Sequence, residues 1–227
     1  MRTLGRRLPD GQLRAAPLTG GAHSPRVEAM PVAPQDADVD WHRTFIALVP
    51  DAPTRSEWEA FGIGEDMIGR RVAADQLHLT LAFLGSIPRE RGLALATGLA
   101  STVTALPALK IERFAYWPNP AHPRLAVLTF ECPQPLVELA ANVRGLVRSL
   151  GLPIDDHRPF RPHVTLARLP RHSRPVSPEA LLVGEQSALA LPASRFATLM
   201  LYSSTLERSG ARYRPLAAVD VPAAPSD

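Results

Sequence analysis

The chain has 227 residues, 45% hydrophobic and 21% charged, enough for one domain or two closely packed lobes, and its formal charge of +3 permits a phosphate or nucleic-acid partner without demanding one. Cys132 is the only cysteine, which excludes an internal disulfide and a cysteine-based zinc cluster and accords with a reducing cytoplasm. No apolar run reaches the eighteen or so residues of a membrane span, so no membrane partner is expected.

Residues 1–40 carry Pro, Gly, Ala and scattered Arg without any apolar period, and are expected to be a disordered extension. The folded domain is expected over 41–220, with 221–227 a second disordered end. RTFIALVP (43–50) reads as a buried strand closed by Pro50, and PTRSEWEAFGIGEDMIG (53–69) as a helix broken by its glycines. LHLTLAFLG (77–85) reads as a strand stopped by Gly85, and PRERGLALATGLASTVTAL (88–106) as a helix with Pro88 in its first turn. Two strands follow, ALKIERFAYWP (108–118) and RLAVLTFE (124–131), separated by a proline turn. QPLVELAANVRGLVRSLGL (134–152) is the best amphipathic helix, with Leu136, Leu139, Val143, Leu146, Val147 and Leu150 along one face and Gly151 as its stop. A strand PHVTLARL, a proline-rich loop, the strand RFATLMLYSSTL (195–206), a turn at Ser209-Gly210 and a closing strand ARYRPLAAV (211–219) complete the chain. The pattern predicts an α+β fold of two pseudo-symmetric lobes, each an antiparallel sheet with helices outside and a cleft between them.

One phrase occurs twice. HLTLAFL from His78 and HVTLARL from His163 agree at His, Thr, Leu, Ala and the final Leu, 85 positions apart (163 − 78). With 7 His and 12 Thr in the chain, roughly 0.4 His-x-Thr matches arise by chance, so two that also share three further residues are not accidental. Strand alternation places His78, Thr80 and Ala82 on one face and Leu77, Leu79, Leu81 and Phe83 on the other, with His163, Thr165 and Ala167 opposite Val164 and Leu166. Two such His/Thr faces meeting across a cleft would offer two imidazoles and two hydroxyls to one ligand. Imidazoles exchange protons near neutral pH, and both group types hydrogen-bond phosphate oxygens. One histidine can take a proton from water while the other gives one to a departing alkoxide, which is in-line displacement at phosphorus without a metal.

With these residues the sequence resembles the 2H phosphoesterases, and within them the RNA 2′,3′-cyclic phosphodiesterases once called 2′-5′ RNA ligases. The resemblance runs from about residue 42 to 220, through FIAL (45–48), VAADQLHLTLAFLG (72–85), RPFRPHVTLAR (158–168) and LYSSTLERSGARYRPL (201–216). It implies hydrolysis of a 2′,3′-cyclic phosphate on an RNA end or a nucleotide to a 2′-phosphate by a monomeric enzyme. His78 would then be the proton donor and His163 the acceptor, with Thr80 and Thr165 on the phosphate. Reversible 2′-5′ RNA ligation and a non-catalytic RNA- or nucleotide-binding module stay open as alternatives.

Arg168 closes the second phrase and is a candidate phosphate contact, although strict alternation would turn it to the core. Arg158 and Arg161 flank the phrase and read equally as solvated loop residues. Phe45, Trp117 and Phe160 are candidates to stack on a base. Asp155-Asp156-His157 has the composition of a metal cluster, but adjacent turn residues seldom converge on one ion, so no metal is expected. Ser203 and Ser204 lack a nucleophile elbow, and no glycine-rich phosphate loop is present, so no cofactor is expected.

Overall fold

The computed structural model describes residues 27–29, 41–62, 69–154, 159–207 and 210–224. Among the described residues, nine strands form one sheet: β1 (Val27–Ala29), β2 (Trp41–Pro50), β3 (Arg70–Arg71), β4 (Leu79–Ile87), β5 (Ile111–Trp117), β6 (Leu125–Phe130), β7 (His163–Arg168), β8 (Phe196–Glu207) and β9 (Gly210–Asp220). Their order is β1-β9-β8-β2-β4-β7-β6-β5, with β3 paired to β7, and every strand pair is antiparallel. Four α-helices accompany them among the described residues: α1 (Ala52–Ala60), α2 (Arg89–Gly98), α3 (Gln134–Ser149) and α4 (Pro178–Leu189). None of the described helices is long and apolar enough to cross a membrane.

The architecture is α+β, and the two lobes are two parts of a single sheet. β1-β9-β8-β2-β4 form one part and β7-β6-β5 the other; they meet at one register pair, Leu79 opposite Val164. The C-terminal hairpin β8–β9 returns to the first lobe beside β2, so the lobes are not the two halves of the sequence. Trp58 of α1 ties them together, its ring 5.9 Å from Phe130 of β6 and 5.7 Å from Phe196 of β8. All three rings are buried, and truncating such an aromatic typically costs about 3–5 kcal/mol.

α3 forms where its periodicity places it: Leu136, Leu139, Val143 and Val147 are buried, and Gly151 at φ 61° ends the helix. Pro88 is the N-cap of α2, which stops at Gly98 and passes into a 3-10 turn, earlier than expected. Gly85 does not stop β4; it takes φ 73° and the strand runs on to Ile87. α4 occupies part of the segment expected to be a proline-rich loop. Ser177 caps it by accepting from the Ala180 N–H, with a proline in the first turn. Its buried positions are the small residues Gly184 and Ala188, and Gly184 leaves room for the Phe114 ring of β5. Within the N-terminal segment expected to be without structure, Val27–Ala29 pairs with β9. The rest of residues 1–40, the loop Asp155-Asp156-His157-Arg158, Ser209 and residues 225–227 lie outside the described residues.

Candidate active site

The two copies of the phrase fold into adjacent strands at the centre of the sheet. Antiparallel pairing of Leu79 with Val164 fixes a sum of 243, so in that register His78 faces Thr165 and Thr80 faces His163 (79 + 164 = 78 + 165 = 80 + 163). The arrangement is a local two-fold, with its axis through the Leu79–Val164 pair. Both of those residues are buried, and the four His and Thr side chains share the opposite face.

The strict alternation expected from the sequence does not continue past the threonines. On β4, Ala47 pairs with Thr80 and Ile46 with Ala82, leaving Leu81 as a bulge. On β7, Val127 pairs with Thr165 and Ala126 with Ala167, leaving Leu166 as a bulge at the matching position, since 166 − 81 is also 85. A bulge adds one residue and reverses the faces beyond it. Ala82 and Ala167 therefore turn into the core, contrary to the expected pattern, while Phe83 and Arg168 come out beside the histidines. Both bulged carbonyls find donors: Leu81 O accepts from Arg144 Nε at 3.4 Å, and Leu166 O from the Val72 N–H at 2.8 Å. This brings Arg168 to the site face, and with it Phe83, 41% exposed, which strict alternation would place on the core face.

His78, Thr80, His163 and Thr165 line one slot of ≈ 190 Å³, which Gln76, Arg168 and Tyr213 also line. That is below the roughly 300–1,000 Å³ of a typical organic-ligand pocket and suits a phosphoryl group. His78 Nδ1 lies 2.6 Å from the carbonyl of Gln76, and His163 Nδ1 lies 2.8 Å from that of Arg161, each two residues back. A carbonyl only accepts, so each Nδ1 carries the hydrogen and each Nε2 is the nitrogen available to a ligand. The Gln76 side chain donates to the Ala211 carbonyl of β9 at 2.9 Å, which anchors the turn that orients His78. Nothing in the sequence singles out Gln76 except its place two residues before the motif.

Burial holds both imidazoles below the ordinary histidine range. For His78 the charges of Arg168 and His163 act in the same direction and the Gln76 carbonyl opposes them; for His163, Arg161 lowers and its own carbonyl raises. Without a ligand both rings are therefore mainly neutral at pH 7.

A larger cavity of ≈ 740 Å³ adjoins the slot, lined by Thr80 and His163 and by Phe83, Trp117, Phe160 and Arg161 among others. Trp117 packs on His163 at 4.5 Å, and Arg161 covers the Trp117 ring at 4.8 Å. Arg144 covers Phe160 at 5.3 Å. Phe45 is not in this cavity. It is 4% exposed, its ring set among Tyr202, Tyr213 and His78 at 5.0–5.2 Å, so no free face remains for a base and the stacking expected of it is replaced by support of His78. Ser203 and Ser204 donate to the carbonyls of His42 and Arg43, holding β8 to β2.

The LigT like Phosphoesterase family model matches residues 64–127 and 129–213. The chain is 30% identical over 178 residues to the RNA 2′,3′-cyclic phosphodiesterase of Escherichia coli (strain K12), covering 77% of this chain and 93% of that one. It is 28% identical over 182 residues to the RNA 2′,3′-cyclic phosphodiesterase of Thermotoga maritima, covering 77% and 92%. The crystal structure of E. coli LigT complexed with 3′-AMP superposes with a TM-score of 0.60 at 28% identity, over 80% of this chain and 98% of that one.

Proposed function

The chain belongs to the LigT-like phosphoesterases, and from that premise we propose that it hydrolyses 2′,3′-cyclic phosphates on RNA ends or nucleotides, with His163 as base and His78 as acid. The observation that carries this reading is the antiparallel register that sets two His/Thr pairs on one phosphoryl-sized slot. The cyclic phosphate enters the slot, and Thr80, Thr165 and Arg168 hold its non-bridging oxygens. Its negative charge offsets that of Arg168 and raises the affinity of His78 Nε2 for a proton. His163 Nε2 removes a proton from water as the water oxygen bonds to phosphorus. The P–O3′ bond breaks on the far side, and His78 Nε2–H supplies the proton that O3′ takes up. The product is a 2′-phosphate with a free 3′-hydroxyl, and the two histidines have exchanged protonation states, which solvent restores.

Negative charge grows on the equatorial oxygens in the transition state, where Arg168 and the threonine hydroxyls are already placed. Every group assigned to the phosphate is a protein hydrogen-bond donor, so the reaction proceeds without a metal. Trp117 and Phe160 stack the base in the larger cavity. One chain supplies both half-sites, so the enzyme acts as a monomer.

The test is incubation of purified protein with 2′,3′-cyclic mononucleotides and with RNA bearing a cyclic end, in EDTA and without ATP. Conversion to 2′-phosphates, identified by phosphorus NMR, is the expected result; unchanged substrates overturn the activity, and a dominant 3′-phosphate overturns the assigned leaving oxygen.

A further inference from the structure

A second cavity, ≈ 450 Å³, opens off the slot along a different wall. It shares Val72, Gln76, Arg168 and Tyr213 with the slot and no residue with the aromatic cavity, which meets the slot at Thr80, Leu125 and His163. Its character is basic. Among the described residues, Arg70, Arg71, Arg168 and Arg212 line it, against one carboxylate, Glu207.

These cations are not equally engaged. Arg71 is taken up by the end of α1, donating to the carbonyls of Trp58, Glu59 and Phe61. Arg212 meets Glu207 at 3.7 Å with both side chains exposed, a pairing that solvent screens heavily. The backbone of Arg70 pairs with Arg168 of β7, but its guanidinium has no hydrogen bond or ion pair among the described residues. Its guanidinium lies directly against the backbone of Gly210 at the start of β9, where a β-carbon would collide with it. The cavity therefore presents Arg70 and Arg212 to an anion, together with Arg168, which it shares with the slot.

Ribose stereochemistry says which anion. When the C2′–C3′ edge of a ribose points into the slot, C1′ and C4′ flank it. The base and the 5′ substituent then leave in opposite directions. With the base in the aromatic cavity beside His163, C5′ is directed to the wall of Gln76 and Tyr213, the wall that holds His78: Gln76 through its carbonyl, Tyr213 edge-on at 5.4 Å. We infer that this basic cavity is a subsite for the 5′-phosphate of the nucleotide that carries the cyclic phosphate. The inference rests on the hydrolytic reading above and narrows its substrate class. The enzyme favours 5′-phosphorylated nucleotides or RNA chain ends over cyclic nucleotides with a free 5′-hydroxyl. The same orientation sets O3′ on the His78 side, so substrate polarity and the identity of the leaving oxygen have one origin.

The experiment compares kcat/KM for adenosine 2′,3′-cyclic phosphate, its 5′-phosphorylated form, and a dinucleotide ending in the cyclic phosphate. The expected gain from the 5′-phosphate is roughly tenfold or more, the worth of a hydrogen bond to a charged group. Arg70→Ala and Arg212→Ala each lower that gain severalfold and leave the rate on the 5′-hydroxyl substrate unchanged, which also reports that the variants are folded. A gain with monoester and dinucleotide alike assigns the subsite to chain ends, and a gain with the monoester alone assigns it to free nucleotides; either supports the subsite. Equal kcat/KM across the three substrates, or a gain that survives both substitutions, overturns it. Failure of all three substrates to react counts instead against the hydrolytic reading.

Discussion

The His78 and His163 half-sites share a backbone and differ in surroundings. Each has a histidine bonded to a carbonyl two residues back, a threonine on the same face and a bulge three residues after the histidine. Around His78 the walls are closed, with Phe45 and Tyr213 against the ring and Gln76 behind it. Around His163 they are open to the aromatic cavity, with Trp117 and Arg161 alongside. At the equivalent outward position one copy presents Phe83 and the other Arg168. Two-fold symmetry suits in-line displacement, because acid and base must stand on opposite sides of phosphorus. The departures from symmetry make the halves chemically distinct, so one can serve the leaving oxygen and the other the water.

The hardest test of that distinction removes each histidine. His78→Ala and His163→Ala should each slow kcat by roughly 10²–10⁴-fold, and the double variant should lose less than the product of the two. The halves separate on a substrate whose leaving oxygen needs no proton. With o-phenylene cyclic phosphate, whose leaving group is a phenolate, His78→Ala should recover most of its rate and His163→Ala should not. The reverse pattern exchanges the two roles.

A smaller effect belongs to the outward position. Arg168→Gln should lower kcat/KM about 10–100-fold, the worth of a hydrogen bond to a charged group. It should also raise the titration midpoint of His78, since Arg168 depresses it. Arg161→Gln should do the same to His163. Imidazole NMR titration of both variants checks this, and a midpoint that moves in the wrong ring breaks the comparison. In the unsubstituted enzyme both rings lie low, so the kcat/KM profile should be bell-shaped and centred below about pH 6.5. The kcat profile should sit at higher pH, because bound phosphate raises both affinities for protons.

The aromatic walls give the next contrast. Trp117→Ala should raise KM for a purine substrate about tenfold with kcat nearly unchanged, within the roughly 1–3 kcal/mol that stacking supplies. Phe45→Ala should instead lower the melting temperature, because its ring is enclosed. Smallest of all is chelation: EDTA should leave the rate unchanged, and a loss restored by a divalent ion would contradict the roles given to Thr80, Thr165 and Arg168.

The motif residues and most elements were legible in the sequence because they depend on local pattern. The apolar period of α3 and the spacing of His78-x-Thr80 and His163-x-Thr165 are examples. What was not legible depends on partner strands. Leu77, Leu79, Leu81 and Phe83 alternate faultlessly, yet the bulge at Leu81 arises from how β2 pairs with β4, and it reverses Ala82 and Phe83. The enclosure of Phe45 likewise comes from β8 and β9, more than 150 residues away in sequence. α4 carries no apolar period for another reason: it buries Gly184 and Ala188 and exposes Leu182, Val183 and Leu189, the inverse of an apolar stripe.

The single pair at which β4 and β7 meet also governs which length changes the chain can tolerate. Inserting or deleting one residue between His78 and Phe83, or between His163 and Arg168, shifts everything beyond it to the other side of the sheet. The turns at 118–124 and 169–177 lie outside both windows; a length change at 118–124 renumbers the second window as a block, and neither turn alters which residues of the two windows face each other. Relatives can therefore diverge freely in loop length while these two six-residue windows stay without gaps, and an alignment that places a gap inside either window has misassigned the strands.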